Sequence, residues 1–266
     1  MTTEAIKTCC AEFYASDWVH LLVGNSLHPG GLALTERLGV LLGLDAHSRV
    51  LDLATGPGAS AVHLAQVFGC HVVGVDYSAE NVAQAEAASE REGVADRVEF
   101  QQGDAEQLAA LPDQAFDAVI CECAFCTFPN KPGAAREIAR VLVPDGRFGL
   151  SDLTRDGEPS VEFDGNAGWI ACLADAQPVA DYIRALQAAG LHVTHVEDHH
   201  DALAEMVSLV QRRLLVAQIV TRIEHAELPS GVDLQQAKTV ARRAADAVRA
   251  GELGYTLLIA SRDARQ

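Results

Sequence analysis

Four places in the chain carry residue types and spacings that chemistry could use. The first is Asp52-Leu53-Ala54-Thr55-Gly56-Pro57-Gly58, where glycines let the backbone approach a ligand closely. The helix expected after it presents an N-terminus that favours a negative group. About 20 residues on stands Asp76, a carboxylate able to accept from both hydroxyls of a ribose. The third is Asp104 in Gln102-Gly103-Asp104-Ala105, placed to accept a hydrogen bond from an adenine amino group. The fourth is a run of thiols, Cys121, Cys123 and Cys126. Asp52 also narrows the ligand: its carboxylate would repel a pyrophosphate but not a cationic aminoacyl group.

Alternating strands and helices must position these residues. Apolar runs predict strands over 49–53, 71–76, 97–101, 116–120, 147–151, 191–196 and 254–260. Helices are expected over 59–68, 79–92, 133–142 and 179–189. Strands separated by helices of this length build a parallel sheet with right-handed crossovers. Asp52, Asp76 and Asp104 then fall at the carboxyl ends of successive strands, where open α/β sheets bind ligands. Residues 1–45 read as helical with a break at His28-Pro29-Gly30-Gly31, and 201–250 as helical throughout.

Composition removes several classes of function. The chain has 266 residues, 49% of them hydrophobic, enough to bury a core. Its net charge of −17 repels phosphate backbones and anionic lipid, so neither nucleic acid nor a membrane surface is expected as a main partner. The N-terminus has no basic leader and no apolar run reaches the roughly 18 residues of a membrane span, so a cytoplasmic protein acting on a small molecule is expected. Seven cysteines in a reducing compartment should be thiols. Oligomeric state is not readable.

The stretch Val50-Leu51-Asp52-Leu53-Ala54-Thr55-Gly56-Pro57-Gly58, with Asp76 and Asp104, resembles the class I S-adenosylmethionine (SAM)-dependent methyltransferases. Arg140-Val141-Leu142-Val143-Pro144-Asp145-Gly146-Arg147 is similar to that family's turn into its fifth strand. The resemblance implies an α/β, Rossmann-like sheet of seven mostly parallel strands with the last antiparallel. It divides the chain into an N-terminal helical cap (1–45), a SAM-binding core (46–200), and a helical insertion with the final strand (201–266). It implies SAM as cofactor, held by Asp52, Thr55, Gly56, Gly58, Asp76, Tyr77, Asp104, Ala105 and Cys121.

Within the family, the cysteines resemble those of arsenite methyltransferases. Cys123 stands where their strand-four cysteine does, although Glu122 replaces an Asn. Cys172, in Gly168-Trp169-Ile170-Ala171-Cys172-Leu173-Ala174-Asp175-Ala176, stands where a later cysteine does, with Asp175 in place of a Gly. Cys9 or Cys10 is similarly placed near Tyr14 on a segment expected to fold over the site. The implied activity is methyl transfer to trivalent arsenic, as arsenite or a thiol conjugate, held as substrate by Cys123 and Cys172 with Cys10, Cys9 or Cys126 as a third thiolate. A resident metal is not expected: a structural zinc would need a fourth ligand, and the histidines show no metal-binding spacing. The alternative acceptor is an organic O, N or C nucleophile, with Glu122 or a histidine as base. Buried packing is the bland reading for any single cysteine, and the expected one for Cys70.

Overall fold

The computed structural model describes residues 3–24, 26–156, 175–223 and 233–263. The N-terminal part holds α1 (Thr3–Tyr14), α2 (Asp17–Val23) and α3 (Gly31–Leu42). The alternating part runs β1 (Arg49–Leu53), α4 (Ala59–Phe68), β2 (His71–Asp76), α5 (Ala79–Arg91), β3 (Val98–Gln102), β4 (Phe116–Glu122), α6 (Lys131–Val141) and β5 (Leu142–Arg155). It continues as α7 (Val179–Ala188), β6 (Leu191–Asp198), α8 (His200–Ile223), α9 (Leu234–Arg249) and β7 (Leu253–Arg262).

Seven strands form one sheet in the order β3-β2-β1-β4-β5-β7-β6. β1 pairs in parallel with β2 and β4, and β7 runs antiparallel to both β5 and β6. Parallel strands covered by helices on both faces must be apolar without alternation. β1 obeys this apart from Asp52 at its carboxyl end: every residue after Arg49 is buried. Local signals fix the helix starts. Ser78 Oγ accepts from the Asn81 N–H at 3.2 Å to cap α5, and Asn130 Oδ1 accepts from the Gly133 N–H at 3.0 Å to cap α6.

α3 is part of the main body rather than of a separate cap. Its Leu34, Leu38 and Leu42 are buried in the same core as the strands. α2 instead packs on α8 and α9, where Trp18, Leu22, Leu214 and Ala241 make a second small apolar cluster. The helical stretch expected over 201–250 is two helices, α8 ending at Ile223 and α9 starting at Leu234. Among the described residues no helix is long and apolar enough to cross a membrane.

Candidate functional site

The carboxyl ends of β1, β2 and β4, with helix α1 across them, enclose a cavity of about 1120 Å³ of atom-free space counting its open mouth. Of the residues singled out in the sequence, Asp52, Thr55, Gly56, Asp76, Tyr77, Asp104, Ala105, Cys10 and Cys123 all line it. Gly58, Cys9, Cys121 and Cys126 do not, and Cys172 lies outside the described residues.

The glycine turn is held by the second strand. Asp76 Oδ2 accepts from the Gly56 N–H at 2.9 Å, while Oδ1 accepts from the Ser78 N–H at 2.8 Å and the Asn81 side-chain amide at 3.0 Å. Burial pushes the Asp76 carboxyl up, against these three donors. Asn81 Oδ1 and Ser26 Oγ, both on cavity-lining residues, are buried without a hydrogen-bond partner. The carboxylates of Asp52, Asp76 and Asp104 along the cavity fit a ligand rich in hydroxyls and amines. Gly58, expected as a cofactor contact, has a packing task in this structure. Its φ is +82°, and a Cβ there would sit 2.8 Å from Ala85 Cβ and 2.9 Å from Phe100 Cζ, so it lets α4 and α5 pack closely.

Asp52 is 2% exposed and accepts from the Thr55 hydroxyl at 2.6 Å. Burial first, then the charges of Glu122 and Asp76, push its carboxyl up to about 8. Such a group is poised to meet a cation. Asp104 is already engaged: Oδ2 lies 2.7 Å from the Lys7 ammonium on α1, and Oδ1 accepts from the Glu106 N–H at 2.9 Å. Lys7 also pairs with Glu106. Burial opposes the Lys7 charge, yet these two partners leave its pKa raised.

The cysteines divide by backbone conformation. Cys121 is wholly buried, and desolvation drives its thiol well above the usual range, so it belongs to the core and not to the cofactor set. Cys123 follows Glu122 with a left-handed φ of +53° and donates its N–H to the Ser151 carbonyl at 2.7 Å. That departure from the extended strand turns Cys123 off the alternation. Ala54 in the glycine turn has a φ of +55° and also lines the cavity. Non-glycine residues in this region cost of order 1–3 kcal/mol each and concentrate at functional sites. Cys126 is buried within a short 3₁₀ turn, Phe125–Thr127, whose backbone is pinned from two sides. The Cys126 N–H donates to Asp152 Oδ2 at 2.8 Å, and its carbonyl accepts from the Lys131 ammonium at 2.8 Å. Cys70 is buried, its thiol pushed up to about 11 by desolvation. Among the described residues no three His, Cys, Asp or Glu side chains converge as a metal site.

Several lining residues escaped the sequence reading. Lys7 and Ser26 carry no local signal, because only folding brings α1 and the loop after α2 onto the strand ends, whereas Tyr14 lies on the segment expected to fold over the site and lines the cavity. Asn81 was legible in principle, as the polar residue that closes the first turn of the helix after Asp76. Glu122, weighed above as a base, and His28 of the break before α3 form one buried cluster on the cavity wall. Glu122 Oε2 accepts from the Thr35 hydroxyl at 2.9 Å and the Ser60 hydroxyl at 2.6 Å, with His28 Nε2 at 3.5 Å.

Comparison with known proteins agrees with this geometry. A model of a methyltransferase domain matches residues 44–211. An arsenite methyltransferase from Aquipseudomonas alcaligenes is 34% identical over 159 residues, 56% of this chain and 45% of that protein. A phosphoethanolamine N-methyltransferase from Triticum aestivum is 32% identical over 188 residues, 70% of this chain and 35% of that protein. The matched stretches thus span less than half of both relatives. A Haemonchus contortus phosphoethanolamine N-methyltransferase, solved with S-adenosylhomocysteine (SAH), superposes with a TM-score of 0.78 at 18% identity, covering 99% of this chain and 61% of that one. At that identity the superposition speaks for the fold.

Proposed function

The chain belongs to the class I SAM-dependent methyltransferase family, and from that premise we propose that it methylates trivalent arsenic, as arsenite or a thiol conjugate, inside the cavity under α1. One observation carries the reading: Cys10 and Cys123, far apart in sequence, line the same cavity as the carboxylates suited to the cofactor.

In this reading Asp76 receives the ribose, Asp104 the adenine side and Asp52 the aminoacyl ammonium. Bound SAM supplies a methyl group already activated by its sulfonium. The residues of the chain therefore need only to align the acceptor and exclude water. Cys10 and Cys123 hold arsenic as thiolates, soft ligands for a soft centre. Cys172 or a small thiol takes the third position. The arsenic lone pair becomes the new As–C bond as the C–S bond breaks, and the C–S pair stays on sulfur. Arsenic passes formally from the trivalent to the pentavalent state, so the transfer needs no external oxidant.

A hydroxyl acceptor would need a base, and Glu122 and His28 on the cavity wall are engaged in other hydrogen bonds. His28 Nδ1 lies 3.2 Å from the Pro29 carbonyl, and its Nε2 3.3 Å from the Thr35 hydroxyl. Both Glu122 oxygens accept hydroxyl groups.

Thiol mapping tests the proposal. Arsenite should slow alkylation of Cys10 and Cys123 together, read by peptide mass spectrometry, while Cys9 reacts as before. Alkylation of Cys123 at the same rate with and without arsenite would overturn it.

A further inference from the structure

The acids of the cavity follow the order of the strands. β3, β2, β1 and β4 are neighbours, and beyond or at their carboxyl ends stand Asp104, Asp76, Asp52 and Glu122. Adjacent strands lie about 4.8 Å apart. A cofactor with its adenine side at Asp104, its ribose at Asp76 and its aminoacyl group at Asp52 holds its sulfur between the last two, inside the cavity whose wall Glu122 also forms from the strand beside Asp52.

Glu122 is held as an acceptor by groups from four elements. Thr35 of α3 and Ser60 of α4 donate to Oε2, at 2.9 Å and 2.6 Å. Ser151 of β5 donates to Oε1 at 3.2 Å, and Tyr255 of β7 stands behind it, its hydroxyl donating to Ser151 Oγ at 3.1 Å. His28 Nε2 approaches Oε2 to 3.5 Å from the loop before α3. The Glu122 side chain is 4% exposed, and its charge reaches Asp52. A carboxylate without solvent screening costs free energy unless something repays it. The hydroxyls and the imidazole do so in part, and a cationic ligand in the cavity would complete the compensation.

We propose that Glu122 makes the cavity selective for charge, favouring the cationic sulfonium of SAM over the neutral thioether of SAH. The inference rests on the cofactor reading above and extends it to product release. Methyl transfer removes the positive charge from sulfur while Glu122 keeps its own, so the product loses an attraction that the cofactor had. Glu122 here is a specificity residue for the cofactor and takes no proton.

Calorimetric titration of the purified protein with SAM and with SAH tests this without turnover. Wild type should bind SAM more tightly than SAH. Glu122→Gln should lower that preference about tenfold, a modest share of what one charge is worth at short range in a protein interior. The loss should fall on SAM, with SAH affinity retained as the sign of an intact fold. Glu122→Asp, which keeps the charge, should retain most of the preference. An unchanged SAM-to-SAH ratio in Glu122→Gln would overturn the inference. If that variant does not fold, wild type decides: equal or tighter binding of SAH overturns it. Failure of wild type to bind SAM at all would instead remove the cofactor reading, and this inference with it.

Discussion

The Lys7 ammonium of α1 lies 2.7 Å from Asp104 Oδ2, ninety-seven residues away in sequence, and ties the N-terminal helix to the carboxyl edge of the sheet. Cys10 lies on the same helix, so the contact that closes the cavity also brings in a thiol. Closure of this kind excludes water and completes a site. Lys7→Ala should therefore release α1. Limited proteolysis should cut the N-terminal segment faster in the variant, with SAM restoring part of the protection. Identical cleavage of the two proteins would show that α1 is held by its apolar contacts alone.

Asp76 accepts from the Gly56 N–H, the Ser78 N–H and the Asn81 amide, and offers its remaining lone pair, on Oδ2, to the cavity. Charge-assisted hydrogen bonds contribute roughly 1.5–3 kcal/mol each, so Asp76→Ala should weaken SAM binding about a hundredfold. Titration calorimetry measures this, and wild-type affinity in a folded variant would displace the ribose from Asp76.

Asp52 gives a pH dependence with a definite sign. Its carboxyl sits at about 8 in the folded protein against an ordinary value of 3.8, because burial disfavours the charge. A raised carboxyl contributes stability at low pH that is lost as pH rises from about 4 to about 8. A cationic aminoacyl group would reverse the preference, so SAM binding should release a proton from Asp52 and tighten as pH rises toward 8. Calorimetry near pH 6.5 in buffers of different ionisation enthalpy should find about one proton released by wild type and none by Asp52→Asn. Equal release from both proteins would place the ammonium elsewhere.

Serine substitution should separate the cysteines by position. Cys123→Ser and Cys10→Ser should lose arsenite binding while keeping SAM affinity. Cys121→Ser places a hydroxyl in a fully buried site and should cost roughly 1–3 kcal/mol of stability, read as a shifted denaturation midpoint. Cys9→Ser should change neither property. Loss of arsenite binding in Cys9→Ser with retention in Cys10→Ser would mean that the other face of α1 meets the substrate.

What the sequence made legible were its contiguous signals. The strand, glycine turn and helix around 49–68 lie in one stretch, and Asp76 follows at the spacing that one β/α unit requires, so the fold and the sheet edge that carries the cavity could be read directly. Cys121 and Cys123 were harder for a stated reason. Alternation along β4 puts both on one side, but the left-handed backbone at Cys123 breaks the alternation there and leaves Cys121 in the core. Gly58 looked like a ligand contact because helix packing and phosphate approach ask for the same residue. Lys7 and the hydroxyls around Glu122 were invisible, since each acts through partners supplied by other elements.

Methyl transfer itself tests the central claim most directly. The purified protein would be incubated with arsenite, a small thiol and SAM bearing an isotopically labelled methyl group, and the products resolved by liquid chromatography and mass spectrometry. Labelled methylarsenic should appear together with an equal amount of SAH in wild type, and neither should appear in Cys123→Ser, although that variant still binds SAM. A wild-type protein that binds SAM yet forms no labelled methylarsenic at any arsenite concentration would contradict the account.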